Sequence, residues 1–169
     1  KSLIDDYPKE WNIVKKIVHD YEYIYTASYR KNISKFSPIS RSYFKFREIF
    51  YTYDLVNKDI RNKIVCLAEA PGGFIQSINH SLNGSIENIY GVTLLSEDNS
   101  VPRWNNLLGT YPDIIFEYGS AGSGDLYDFM NIISMIKKIG KSSVHLITAD
   151  GGFDYSSDYS KQEENSLEL

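Results

Sequence analysis

A proline and two glycines, Pro71-Gly72-Gly73, lie between an apolar run, Ile64–Ala68, and a helical pattern that begins at Phe74. Proline ends a strand, and glycine lets the backbone turn sharply and approach a ligand closely. The carboxyl end of a parallel strand, next to the free amides of a helix start, is where nucleotide-like ligands bind. The sequence therefore predicts a cofactor loop formed by Ala70, Pro71, Gly72, Gly73 and Phe74. The alternative is an ordinary glycine turn. The G-x-G-x-x-G pattern of nicotinamide sites is absent.

Two aspartates also stand next to glycines. Asp125 follows the glycine-rich stretch 119–124, and we expect it to cap the helix predicted over Leu126–Ile139, to bind cofactor hydroxyls, or to do both. Asp150 follows an apolar strand, Val144–Ala149, and is followed at once by Gly151 and Gly152. A parallel sheet would bring Asp150 to the same edge as the loop at Pro71.

A basic segment with interleaved aromatic residues precedes these motifs. Between residues 30 and 47, six Lys and Arg side chains occur without an acid, among them Arg30, Lys35, Arg41 and Arg47. Basic groups neutralise phosphates and aromatic rings stack on bases, so the segment is a candidate surface for single-stranded nucleic acid. The alternative is a solvated helix face that also carries core aromatics.

The elements that must position these residues follow from the apolar periodicity. A helix is predicted from Pro8 to Arg30, a loop over 34–40, and a second helix capped by Ser40, with Lys45 on the same face as Arg41. Strands and helices then alternate, which predicts an α/β fold with a doubly wound parallel sheet. A capping box at Ser160–Glu163 predicts one more helix start.

Composition predicts one globular domain, since the 169 residues are 42% hydrophobic and 14% aromatic. Residues 1–63 carry 13 Lys and Arg against 8 Asp and Glu, and residues 64–169 carry 5 against 14. Without a membrane span or a leader, we expect an intracellular, cytoplasmic protein, with the nucleus as an alternative. The single cysteine, Cys66, and the scattered histidines predict no metal site.

Three separated blocks resemble the FtsJ-like RNA ribose 2'-O-methyltransferases, and within them the cap-specific mRNA branch. The blocks are Ser40 to Ile49, Ala70 to Phe74 and Ala149 to Phe153, and Tyr90–Leu94 and Gly124–Leu126 add to the likeness. The abundance of Ile, Asn, Tyr and Lys is compatible with a large DNA virus as the source.

The resemblance implies a Rossmann-like fold that binds S-adenosylmethionine, with the methionine end at Ala70–Phe74 and the adenosine near Asp125 and Leu126. Lys45 and Asp150 match the first two members of the family's Lys-Asp-Lys-Glu catalytic set. The second lysine, the glutamate and three further strands would lie after Leu169. We therefore expect residues 1–63 to form a helical region with an RNA-facing helix and residues 64–169 an incomplete cofactor-binding region. A further part of the same chain or a partner would cover its last strand.

The function implied by the resemblance is 2'-O-methylation of capped mRNA. The alternatives are methylation of ribosomal RNA, or a catalytically inactive RNA-binding or scaffold module that keeps the fold. A lysine could remove the proton of the ribose hydroxyl or, while charged, stabilise the developing alkoxide, and Asp150 would orient it. No step of this chemistry requires a metal.

Overall fold

A computed structural model of the chain describes residues 6–18 and 33–152. The chain divides into two compact units, residues 1–37 and 38–169, so the division lies before the boundary predicted after residue 63. The first unit contains helix α1, Pro8–Ile17, at the start of the helix predicted from Pro8 to Arg30, and residues 19–30 of that prediction fall outside the described residues. Arg30, Phe153 and the capping box at Ser160–Glu163 fall outside the described residues.

The second unit is built on a four-stranded parallel sheet, as predicted. Its strands are β1 (Asn62–Leu67), β2 (Ile86–Val92), β3 (Ile114–Glu117) and β4 (Leu146–Ala149), in the order β3-β2-β1-β4. The chain adds β2 and β3 on one side of β1 and then returns to place β4 on the other side. Ligands of doubly wound sheets bind at such a reversal, at the carboxyl ends of the strands.

Between residues 38 and 152, the helices packed with this sheet are α2 (Ser42–Tyr53), α3 (Gly73–Ser81), the short 3-10 helix (Asn106–Thr110) and α4 (Phe129–Ile139). On one face, Ile64 and Cys66 of β1 pack in a core with residues of α2 and α3. On the other face, Val65 packs with Met135 and Ile139 of α4. Within the described ranges, none of the helices combines the length and hydrophobicity needed to cross a bilayer.

The start of α2 differs from the prediction. Ser40 does not cap the helix. The residue at the N-cap position is Arg41, and its side chain makes no capping hydrogen bond. The Ser40 hydroxyl is instead 2.6 Å from the Ser42 hydroxyl. Both hydroxyls face Gly73, where an added Cβ would lie 2.1 Å from Ser42 Oγ and 2.2 Å from Ser40 Oγ. Close packing of two helix starts therefore takes the place of a serine cap.

The start of α4 also differs, because Asp125 is not its cap. The helix begins at Phe129, and Asp128 caps it by accepting a hydrogen bond from Met130 N at 2.9 Å. Although Phe129 and Met130 are apolar, they do not belong to the buried side of the helix, since they are 68% and 61% exposed. The inward face carries Asn131, which is fully buried and hydrogen-bonds the loop before the helix.

We predict that Phe46→Ala destabilises the second unit by about 3–5 kcal/mol, because the substitution leaves a cavity in the core. Phe46 is 2% exposed, and its ring centroid is 4.8 Å from that of Phe74. The matched control is Ile49→Ala in the same helix, since Ile49 is 37% exposed and should change stability much less. Urea unfolding of both variants measures the difference, and equal losses would contradict this assignment of the buried face.

Candidate functional site

The loop after β1 is held at three points. Glu69 N donates to Val92 O of the neighbouring strand at 3.2 Å, and Gly72 N donates to Glu69 O at 2.8 Å. The Glu69 side chain closes the loop, because its Oε1 accepts a hydrogen bond from Phe74 N at 2.6 Å. One carboxylate thus satisfies an amide in the first turn of α3, where the helix has free donors.

The glycines of this loop serve the packing of the protein itself. Gly72 has φ +110°, and an added Cβ would lie 2.3 Å from Leu108 Cδ1. Gly73 faces the two serine hydroxyls at the start of α2. A bulky side chain at Gly72 would disturb the core around Leu108.

Lys45 and Asp150 meet although 105 residues separate them in the chain. Leu67 at the end of β1 is paired with Ala149 at the end of β4, so the sheet delivers Asp150 beside the loop. Helix α2 delivers Lys45, whose Nζ forms an ion pair with Asp150 Oδ1 and lies 5.7 Å from the centroid of the Phe74 ring. Their side chains are 58% and 27% exposed, so the pair is open to solvent and to a substrate.

A pocket lies beside this pair, at the carboxyl ends of all four strands. It is lined by residues that follow β1, β2, β3 and β4 in turn: Ala68, Leu94, Gly124, Asp125, Leu126, Tyr127, Gly151 and Gly152. Asp125 and Leu126, both predicted to bind cofactor, are thus in the lining. The predicted residues Ala70, Pro71, Gly72, Gly73 and Phe74 are not, although their loop begins next to Ala68. Asp125 Oδ1 accepts a hydrogen bond from Tyr127 N at 2.8 Å, which fixes the carboxylate at the pocket.

Glu69 is a member of this site that the sequence analysis missed. It is 4% exposed, and burial raises the pKa of its carboxyl to about 8. The hydrogen bonds from the backbone of Phe74 and Ile75 and the charge of Lys45 lower this pKa, while the charge of Asp150 raises it. An acid between a buried strand and Pro-Gly-Gly was the available signal, but only the structure shows that its carboxyl turns inward.

The basic and aromatic surface of α2 is partly as predicted. The Arg47 guanidinium stacks on Tyr43 and Tyr51, at 5.8 and 5.1 Å from their ring centroids. Lys58, which was not predicted, lies 5.2 Å from the Tyr51 ring. Arg41 and Lys35 are exposed residues of the second and first unit respectively, and Arg30 lies outside the described residues. No RNA contact of these side chains follows from the geometry alone.

The described histidines have structural partners. Tyr43 and Tyr111 hydroxyls lie 3.2 and 3.4 Å from the two ring nitrogens of His80. His145 Nδ1 accepts a hydrogen bond from Lys63 N at 3.0 Å. Over residues 6–18 and 33–152, no group of three or more His, Cys, Asp or Glu side chains is arranged to hold a metal ion.

Comparison with known proteins identifies relatives for most of the second unit. The model of the FtsJ-like methyltransferase family matches residues 38–169. The chain is 27% identical over 154 residues to the probable methyltransferase EP424R of African swine fever virus, in both the isolate Pig/Kenya/KEN-50/1950 and the Vero-adapted strain Badajoz 1971. These alignments cover 78% of this chain but 34% of each relative, so the chain spans about a third of the length of these relatives.

We predict that Glu69 makes the protein less stable as the pH rises. A carboxyl with a folded-state pKa of about 8 and an ordinary value of 4.5 binds more protons in the folded than in the unfolded state between these values. The free energy of unfolding should therefore fall across this interval, by roughly 2–5 kcal/mol for this one group. Glu69→Gln removes the titrating group and should flatten the dependence.

Urea unfolding at about pH 5 and about pH 9 measures this effect for wild type and variant. Glu87→Gln is the control, because the Glu87 side chain is 47% exposed and pairs with Lys63 of the neighbouring strand. If the stability of the wild type and that of Glu69→Gln changed equally with pH, Glu69 would have its ordinary pKa in the folded protein, and the prediction would be contradicted.

Proposed function

We propose that this chain, which belongs to the FtsJ-like methyltransferase family, is the methyl-donor-binding part of an RNA ribose 2'-O-methyltransferase that acts on the mRNA cap. The observation that carries the proposal is the contact between Lys45 and Asp150 beside a pocket at the carboxyl ends of four parallel strands. A lysine oriented by a carboxylate next to a cofactor pocket can prepare a hydroxyl for attack, either by taking its proton or by stabilising the charge that develops on its oxygen.

S-adenosylmethionine is the cofactor that we propose for this pocket. The chemistry of the lining fits such a molecule: Ala68, Leu94 and Leu126 offer apolar walls for a base, and the Asp125 carboxylate offers acceptors for ribose hydroxyls. The backbone at Gly151 and Gly152 leaves room beside Asp150. When bound, S-adenosylmethionine supplies a methyl group that its sulfonium already activates.

The chain's own residues have the task of preparing the ribose hydroxyl. Lys45 Nζ is held by Asp150, so the ammonium is fixed in direction before a substrate arrives. Lys45 would either first release a proton to solvent and then, as the neutral amine, accept the hydroxyl proton, or remain charged and stabilise the negative charge that develops on the oxygen. Asp150 orients Lys45 in both cases.

The RNA is proposed to lie along α2, because Lys45 belongs to that helix. Arg47, Tyr51 and Lys58 form a basic surface with an aromatic ring on the same helix and the turn that follows it. Cations can neutralise phosphates there, and Tyr51, which is 56% exposed, offers a ring edge or face to a base. Arg41 and Lys35 are proposed as further phosphate contacts.

A further part of the same longer chain or a partner is proposed to cover the free side of β4. Within the described ranges, β4 is paired with β1 alone and forms an edge of the sheet. Ile147 in this strand is 62% exposed, an apolar residue of the kind that native sheet edges usually cover.

We predict that the protein binds S-adenosylmethionine in this pocket and that Gly152→Leu weakens binding at least tenfold, as measured by calorimetry. No described atom lies within 4 Å of a Cβ added at Gly152, so the larger side chain should enter the pocket rather than the core. Gly109→Leu is the matched control, because its Cβ also has open space around it and Gly109 does not line the pocket. Equal affinities of the two variants would contradict the site.

We predict that Lys45→Met lowers methyl transfer to capped RNA by about 10²–10⁴-fold, the usual contribution of a general acid or base. Lys141→Met, a change at an exposed lysine after α4, should have little effect. Lys45→Arg separates the two roles of Lys45, because arginine stays charged and cannot accept the proton. Activity retained by Lys45→Arg would favour charge stabilisation.

The assay uses a labelled methyl donor with capped RNA, the same RNA without its cap, and a ribosomal RNA fragment. Transfer that requires the cap supports the proposal, and transfer to the ribosomal fragment alone would replace it with ribosomal RNA methylation. Donor binding with no transfer to any RNA, for this chain and for the longer protein that contains it, would indicate an inactive RNA-binding or scaffold module.

A further inference from the structure

The two oxygens of the buried Glu69 carboxyl group differ in their hydrogen bonding. Oε1 accepts the hydrogen bond from Phe74 N at 2.6 Å. Oε2 is buried and has no hydrogen-bond partner among the described residues. An ionised carboxylate with an unsatisfied buried oxygen is far more costly than a neutral carboxyl group in the same place. The geometry alone therefore favours the protonated acid.

The charges around Glu69 come from every element that meets this loop. Asp150 after β4 repels a negative charge on Glu69, and Lys45 from α2 attracts it. Cys66 of β1 also feels the charge of Glu69, but burial raises the pKa of its thiol far above the ordinary value, so it stays neutral. The backbone amides of Phe74 and Ile75 in α3 favour the charged form. Burial outweighs these donors, and the pKa of Glu69 rises to about 8.

We propose that Glu69 is a positioning residue that holds a proton at Oε2 and thereby keeps its own charge away from the Lys45–Asp150 pair. In the neutral acid, Oε1 serves as the carbonyl acceptor for Phe74 N and Oε2 carries the hydrogen. Asp150 is then the carboxylate that orients Lys45. If Glu69 lost its proton, a second negative charge would act on Lys45 and would hold the lysine proton more tightly.

Phe74 links the two groups physically. Its amide donates to Glu69, and its ring lies under Lys45 Nζ, 5.7 Å from centroid to nitrogen. A change in the charge of Glu69 therefore acts on Lys45 in two ways. One is the electrostatic field of the charge, and the other is Phe74, whose ring lies under the Lys45 ammonium. The role of Glu69 in catalysis rests on the proposed function, but its proton and its influence on Lys45 can be measured without any substrate.

The alternative to this role is a simple cap of α3. A capping carboxylate would be ionised at neutral pH, like most acids in the first turn of a helix. It would titrate near its ordinary pKa, and its replacement would lower stability without changing how Lys45 titrates. The two roles thus differ in the titration of two named groups.

The experiment is a carbon-13 NMR titration of the carboxyl of Glu69 and the terminal methylene of Lys45, between about pH 4 and pH 10. Signals are assigned by their loss in Glu69→Gln and Lys45→Met. Wild type should show Glu69 titrating above neutral pH, and Lys45 should show a second inflection at the same pH. In Glu69→Gln, this inflection should vanish. Glu87→Gln should match the wild type.

A Glu69 transition near pH 4, or a Lys45 titration that is the same in wild type and Glu69→Gln, would overturn the inference. If Glu69→Gln does not fold, the wild-type titration decides by itself, because both the Glu69 transition and the second Lys45 inflection are read there.

The rate of methyl transfer as a function of pH then tests the role in catalysis. Where Lys45 acts as a base, Glu69→Gln should match wild type at about pH 6.5 and exceed it two- to fivefold at about pH 9. Absence of transfer by both proteins, with the NMR titration as expected, would refute the proposed function but leave the coupling intact. Normal transfer with a Glu69 transition near pH 4 would refute the coupling alone.

Discussion

Strand β1 is the constraint on which the site depends, because it is the strand from which the sheet grows in both directions. β2 pairs with it on one side and β4 on the other, and both pairings are parallel. All carboxyl ends therefore lie at one edge, where Ala68, Leu94, Asp125 and Gly151 line a common pocket. Without the pairing of Leu67 with Ala149, Asp150 would have no reason to be near the loop after β1 or near Lys45.

The electrostatics of this edge divide into an open pair and a buried acid. Lys45 and Asp150 are solvent-accessible, so their ion pair is weak as a source of stability but well placed for a substrate. Glu69 is buried behind them, and its raised pKa comes from lost hydration more than from either neighbour. One site thus holds an open and a buried carboxyl group, and their environments, not their residue types, distinguish them.

The sheet was predictable from the sequence because apolar runs such as Ile64–Ala68 are long and end at glycine or proline. The approach of Lys45 to Asp150 was predictable from the family resemblance and from the common edge. The exact starts of the helices were harder to predict. Ser40 and Asp125 are residue types that favour N-caps, but neither caps its helix. The start of α2 is set by the contacts of Ser42 with Ser40 and Gly73, and the start of α4 is set by the cap at Asp128, and these contacts form only in the folded protein. The inward turn of Glu69 depends on Phe74 N and the helix start behind it, for which no local pattern gives a signal.

Gly72 and Gly73 have a packing role in this loop. Each lacks a side chain because another part of the protein occupies its place: Leu108 at Gly72, and the serine hydroxyls of α2 at Gly73. These contacts bring α2 against the start of α3, and so bring Lys45 over Phe74 and toward Asp150. A residue with a Cβ at Gly73 would push α2 away and move Lys45 with it. Gly73 therefore fixes the distance between the loop after β1 and Lys45, which is a physical reason for a glycine at this position in its own right.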